Sequence, residues 1–224
     1  MAPRLALDGW EPLPITPDLP PRTVDVCAAE LDALDPALAA PLSDEERARA
    51  ARLVRERDAR RWRRARGLLR TLLGRYLDVD PAGIEIGAGA RGKPTVAGDL
   101  RFNLSRSGGI ALYAFARGRA VGIDIEARER PNRELAIARR AFPEAVERLA
   151  SLDEPERGDE FLRLWARHEA AVKCLGTGLA QPPSEARRDG LWIDDLELAP
   201  GIACALAVDG GPPKVVRRWA ILTS

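Results

Sequence analysis

The sequence predicts a mixed α/β (α+β) protein, and three observations predict it. A helix start at Ser43 opens a long region of helical periodicity that runs to about Leu77. A second run, residues 160–175, keeps Phe161, Leu164, Trp165 and Val172 on one broad face and stops at Gly176-Thr-Gly178. Around these helices, short apolar runs bounded by turn residues read as strands, notably at 110–116, 121–126 and three times in the tail.

Residues 1–23 carry six prolines in the first 21 positions and read as an extended strap without regular structure or the apolar segment of a secretory leader. The stretch 23–34 holds a short strand with Val24 and Val26 on one side. Ser43-Asp-Glu-Glu46 is a capping box, with Ser43 as N-cap and acids in the first turn. The helical region after it is expected to break near Asp58 or Gly67, and its later part spaces Trp62, Leu69, Leu72 and Tyr76 along one face. Residues 84–86 read as a short strand. Residues 87–94 resemble a phosphate-binding P-loop, but Pro94 stands where that loop needs Ser or Thr, and no helix follows. A P-loop ATPase is rejected. What remains is either a glycine loop exposing Lys93 to a phosphate or a plain hairpin loop.

In Phe102-Asn-Leu-Ser-Arg-Ser-Gly108, polar Asn103, Ser105 and Ser107 alternate with Phe102 and Leu104. The segment either lines a cleft or ends a strand. A predicted hairpin then joins 110–116 to 121–126 through Arg117-Gly-Arg119. In its second arm Val121, Ile123 and Ile125 share one face, and Gly122, Asp124 and Glu126 share the other. The acidic face is either solvated or a site for a hard cation such as Mg²⁺. Helices are expected at 132–142 and 144–152, divided at Pro143. Strands close the chain at 191–198, 202–208 and 214–222.

Composition excludes several classes. A net charge of +1 gives no global attraction for nucleic acid or membranes. Three widely spaced cysteines without a Cys-x-x-Cys pair suggest reduced thiols, hence a cytosolic protein. No apolar run is long enough to span a bilayer. His168 is the single histidine, so a His-Glu-x-x-His zinc protease is ruled out, and no triad nucleophile adjoins it. Arginine outnumbers lysine 32 to 3, which singles out Lys93 and Lys173 as places where a compact point charge is wanted. Glu169 and Lys173 lie four apart on one helix face, either as an exposed ion pair or as part of a site. Eleven arginines fall between Arg47 and Arg70 against Glu56 and Asp58, a cluster that reads as a solvated helix face, a phosphate-recognising patch or a nucleic-acid contact.

Taken together, Gly92-Lys-Pro94, Phe102-Asn-Leu-Ser-x-Ser-Gly108, Val121-Gly-Ile-Asp-Ile-Glu126 and Trp165-x-x-x-Glu-Ala-x-x-Lys173, running on to Gly176-x-Gly178-Leu179, resemble the 4′-phosphopantetheinyl transferases, specifically the monomeric surfactin-synthetase-activating type. Arg66-x-Leu-Leu-Arg70 and residues 202–208 are similar to further family elements, and the resemblance covers roughly residues 23–210. It implies transfer of the phosphopantetheine arm of coenzyme A to a serine of an acyl or peptidyl carrier protein, with Mg²⁺ and release of 3′,5′-ADP. It implies Asp124, Glu126 and Glu169 as metal ligands, Glu169 also as base, and Lys173 as a cation on the phosphates. Lys93, Pro94, Ser105 and Arg106 match the positions holding the nucleotide end, with Arg60 and Arg66 joining them. The implied fold is two similar α/β halves related by a pseudo-twofold, 23–117 and 118–224 after a strap of 22 residues, with the site in the cleft between them. The implied protein is a cytoplasmic monomer without nucleic-acid or membrane partners. Two positions depart from the family: Arg106 replaces the usual histidine and His168 the usual lysine. The alternatives are a catalytically weakened homologue that still binds coenzyme A or a carrier protein, and nucleic-acid binding through the helix 47–70.

Overall fold

A computed structural model describes residues 5–89, 92–127, 134–176 and 190–221. The strap contains one two-residue strand, β1 (Glu11–Pro12), and leads into β2 (Thr23–Glu30). Helix α1 (Asp44–Ala51) starts at the predicted capping box, in which Ser43 Oγ accepts from the Glu46 N–H and the Glu46 carboxylate accepts from the Ser43 N–H. The chain breaks at residues 52–55 and resumes as α2 (Glu56–Leu77). The break therefore precedes Asp58, and Gly67 does not interrupt the helix. Gly67 is there for contact: a β-carbon on it would sit 1.7 Å from the Leu38 carbonyl oxygen. The break lets α1 fold back on α2, where Glu46 meets Arg66 and Arg70.

Strands β3 (Gly87–Ala88) and β4 (Pro94–Thr95) form a small antiparallel hairpin. No strand forms at the predicted 84–86, because the Ile84 carbonyl accepts from the buried Arg70 guanidinium at 3.0 Å instead of joining a ladder. Then come β5 (Leu100–Ser107), β6 (Ile110–Arg117), β7 (Val121–Ala127), α3 (Glu134–Ala141), α4 (Val146–Ala150) and α5 (Glu156–Leu175), which starts earlier than predicted. A left-handed Gly176 (φ 65°) ends α5, as the sequence predicts. The tail is β8 (Trp192–Asp195), β9 (Ile202–Val208) and β10 (Val215–Ala220). Positions 132, 133, 178 and 179 of the predicted helix start and motif end lie outside the described residues.

Two sheets pack face to face. One has the order β1-β10-β2-β6-β5, the other β7-β9-β8. The predicted hairpin between 110–116 and 121–126 does not form. Both edges of β6 are taken, by β2 and β5, so β7 crosses to the other sheet and pairs antiparallel with β9. Its predicted alternation holds: Val121, Ile123 and Ile125 are buried between the sheets with Val24, Val26, Leu112, Leu206 and Val208. Residues 118–120 link the two sheets, and β10 crosses back to lie parallel to β2. Helix α2 covers the outer face of the first sheet through Leu69, Leu72 and Tyr76, against Tyr113 and Phe115. Helix α5 covers the second through Ala166, Ala170 and Cys174, against Ala205 and Ala207. No described helix is long and apolar enough to cross a membrane.

Small residues are what let α5 come close. A β-carbon on Gly122 would lie 2.1 Å from the Ala170 carbonyl oxygen and 2.4 Å from the Cys174 nitrogen, both rigid backbone atoms. Gly122→Ala must therefore push α5 off β7. We expect a loss of at least about 1–3 kcal/mol in chemical denaturation, the usual range for overpacking. An unchanged midpoint would show that the helix has slack.

Candidate active site

Helix α5 and strand β7 bring the predicted carboxylates to one place. Asp124 is 2% exposed. Its Oδ1 accepts from Ser105 Oγ at 2.8 Å and from Lys173 Nζ, and Lys173 also donates to Ser105 Oγ at 2.9 Å. Of the two readings of the Glu169 and Lys173 pair, this favours the site, since Lys173 reaches inward to β7. Burial raises the Asp124 carboxyl above its ordinary range, against the pull of Lys173, Ser105 and the Ile125 N–H. Glu126 is pushed up to about 7 by burial and by the charges of Asp124 and Glu169, while the Trp165 side chain hydrogen-bonds to it. Burial and Asp124 likewise raise Glu169. Asp124 raises both glutamates and Glu169 also raises Glu126, so the three acids lie near one another.

Two of their oxygens, Asp124 Oδ2 and Glu169 Oε1, are buried without a hydrogen-bond partner. Buried carboxylate oxygens normally have partners, so this pair asks for one. Among the described residues, no group of three His, Cys, Asp or Glu side chains is placed to hold a metal ion as the side chains stand. The donor chemistry, hard oxygens with two lacking partners, nevertheless fits a hard divalent cation, which binds through few carboxylates and completes its shell with water and substrate phosphates.

The other face of β5 looks elsewhere. Because side chains alternate, Ser105 faces the acids, while Leu104 and Arg106 line a separate cavity of about 360 Å³ with Arg49, Trp62, Arg66 and Pro94. Burial lowers the affinity of Arg106 for its proton. Arg66 lines this cavity but is paired with Glu46. Lys93 is placed differently: its Nζ donates to the carbonyls of Val121 at 2.9 Å and Cys174 at 3.0 Å, and it borders a second cavity of about 210 Å³. Arg60 lies at the surface, 3.9 Å from Asp32. The structure thus groups Pro94, Arg66 and Arg106; Lys93 shares only Pro94 with them, in the second cavity, and Arg60 lies apart. Arg49 and Trp62, whose guanidinium and ring are 5.8 Å apart, escaped the sequence reading as site residues. One arginine among eleven carries no distinguishing signal. His168 lies among aromatic rings, 5.9 Å from Phe142 and 6.1 Å from Trp165, with Nδ1 buried and without a partner. Burial lowers its pKa, which favours the neutral imidazole.

The chain is similar to known proteins along much of its length. The model of the 4′-phosphopantetheinyl transferase superfamily matches residues 120–199, from the turn before β7 past β8. The 4′-phosphopantetheinyl transferase HetI of Nostoc sp. is 37% identical over 190 residues, covering 76% of this chain and 79% of that protein. The 4′-phosphopantetheinyl transferase Sfp of Bacillus subtilis is 33% identical over 144 residues, 63% of each chain. The human L-aminoadipate-semialdehyde dehydrogenase-phosphopantetheinyl transferase is 32% identical over 152 residues, 62% of this chain and 49% of its own length. The chain belongs to the 4′-phosphopantetheinyl transferase superfamily. It is an enzyme that moves the phosphopantetheine arm of coenzyme A to a carrier protein.

A raised carboxyl pKa has a definite sign in stability. Between pH 4.5, the ordinary value for glutamate, and about 7, folded Glu126 holds a proton that the unfolded chain has released. Stability therefore falls as pH rises through that window. We expect the melting temperature of metal-free protein to drop between these pH values, and Glu126→Gln to flatten the slope. An identical slope in the variant would remove Glu126 as its source.

Proposed function

We propose that transfer is Mg²⁺-dependent, with Asp124, Glu126 and Glu169 as the ligands of the cation, as in the resemblance to the surfactin-synthetase-activating type. The observation that carries this reading is the pair of buried, unpartnered oxygens on Asp124 and Glu169. A bound cation supplies charge neutralisation at the pyrophosphate. Glu169 takes the proton from the carrier serine as the serine oxygen bonds to phosphorus and the bond to 3′,5′-ADP breaks. Its raised pKa makes it a stronger base than an ordinary glutamate. Lys173, beside Asp124, serves the leaving phosphate as a point charge. Ser105 keeps Lys173 and Asp124 in register.

The cavity holding Pro94, Arg66 and Arg106 takes the nucleotide end of coenzyme A. There Arg106 offers a two-pronged contact to a phosphate in place of the family's histidine. Lys93 and Arg60 join this end only by side-chain rotation. The same reading includes the division into two halves at residues 117/118, a cytoplasmic monomer, and no nucleic-acid partner.

The test is intact-mass measurement of an apo carrier protein incubated with this enzyme, coenzyme A and Mg²⁺. We expect a gain of one phosphopantetheine arm, lost on adding EDTA and lost in a folded Glu169→Gln variant. Transfer that survives EDTA overturns the metal assignment, and near-normal turnover in Glu169→Gln overturns the base. Coenzyme A binding without any transfer indicates the weakened homologue.

His168 gives a second test. Neutral imidazole leaves one cation fewer near the pyrophosphate than the family's lysine supplies. His168→Lys should raise transfer above pH 7, and an unchanged pH profile would count against that role.

A further inference from the structure

Among the described residues, strand β7 pairs on one side only, with β9, so the N–H groups of its other edge need acceptors from elsewhere. The edge strand β5 of the neighbouring sheet provides them with side chains. Asn103 Oδ1 accepts from the Ile123 N–H at 2.8 Å, and Ser107 Oγ accepts from the Ala127 N–H at 3.1 Å. Between them, the Ile125 N–H turns to the Asp124 carboxylate, which Ser105 also reaches. Both strands advance four residues from the first bond to the last, so they run parallel and in register. Every second side chain of β5 meets β7, and every second N–H of β7 is answered.

We propose that Asn103 and Ser107 are positioning residues for the transfer reaction, setting the height of β7 along β5 and so the point at which Asp124 and Glu126 are presented. Asn103 is 8% exposed, so little water is at hand to replace its oxygen. Without it the Ile123 N–H is left unsatisfied, and β7 shifts to find an acceptor. Asp124, the next residue, shifts with it, away from Lys173 and Ser105. Ser107 does the same at the far end, one residue beyond Glu126. The inference rests on the assignment of those carboxylates to the reaction.

The experiment compares Asn103→Leu, which keeps volume and removes the acceptor, with Asn103→Asp, which keeps an acceptor, and with Ser107→Ala. The readouts are kcat, the coenzyme A KM and hydrogen exchange at the Ile123 amide. Asn103→Leu should lose roughly 10–100-fold in kcat, the usual effect of removing a residue that orients a site ligand. Its KM should hold and its Ile123 amide should exchange faster. Asn103→Asp should recover most of kcat and the protection, and Ser107→Ala should lose kcat to a smaller degree. Wild-type kcat in Asn103→Leu, or a change in KM instead of kcat, overturns the proposal. If Asn103→Leu does not fold, wild-type kcat in Ser107→Ala overturns it. Asp124→Asn run alongside keeps the two readings apart. Normal transfer in that variant defeats the carboxylate assignment, whereas an inactive Asp124→Asn with an unaffected Asn103→Leu defeats this inference alone.

Discussion

The buried carboxylate of Asp124 is the constraint around which the rest of the structure is arranged. A charge with almost no access to water is tolerated only where opposite charge and hydrogen bonds replace its hydration. Lys173, Ser105 and the Ile125 N–H supply that replacement, and burial still outweighs them, since the carboxyl is raised and not lowered. The arrangement is held short of neutrality. Such a group gains from any further cation, which is how a binding site differs from a completed ion pair.

Lys173 reaches Asp124 only because α5 lies close against β7. That approach follows from residues without chemistry of their own. Gly122 leaves room for the Ala170 carbonyl, and Ala166, Ala170, Ala205 and Ala207 keep the helix–sheet interface thin. A larger residue at any of these positions moves the lysine and Glu169 together, because they share one helix. Packing of small residues thus sets an electrostatic distance.

The local part of this was legible in the sequence and the non-local part was not. Alternation along 121–126 assigned faces to Asp124 and Glu126 correctly, because the period of a strand is a property of its own backbone. The capping box at Ser43 and the stop at Gly176 were readable for the same reason. The partner of β7 was not, because it lies about 80 residues away in β9, and sequence proximity to β6 pointed to a hairpin. Nor does the sequence mark Glu46 as anything beyond a cap, although it also anchors Arg66 and Arg70. The partners of the arginine cluster were equally hidden from the sequence. Arg61 pairs with Asp32, Arg64 donates to the Leu31 and Asp32 carbonyls, and Arg63 pairs with Glu56, so these three arginines have partners within the chain. The resemblance carried the assembly of the site, because no periodicity brings α5 to β7.

Strand β5 lies between the acid cluster and the arginine-lined cavity. Its residues 103, 105 and 107 face β7 and the acids, while 104 and 106 face the arginine-lined cavity. Ser105 and Arg106 are neighbours in sequence on opposite faces, so the group that steadies Asp124 and the group lining the cavity are fixed by one backbone. The polar–apolar alternation that made this segment ambiguous in the sequence has a physical reason: a strand with a site on each face has no wholly apolar side to show.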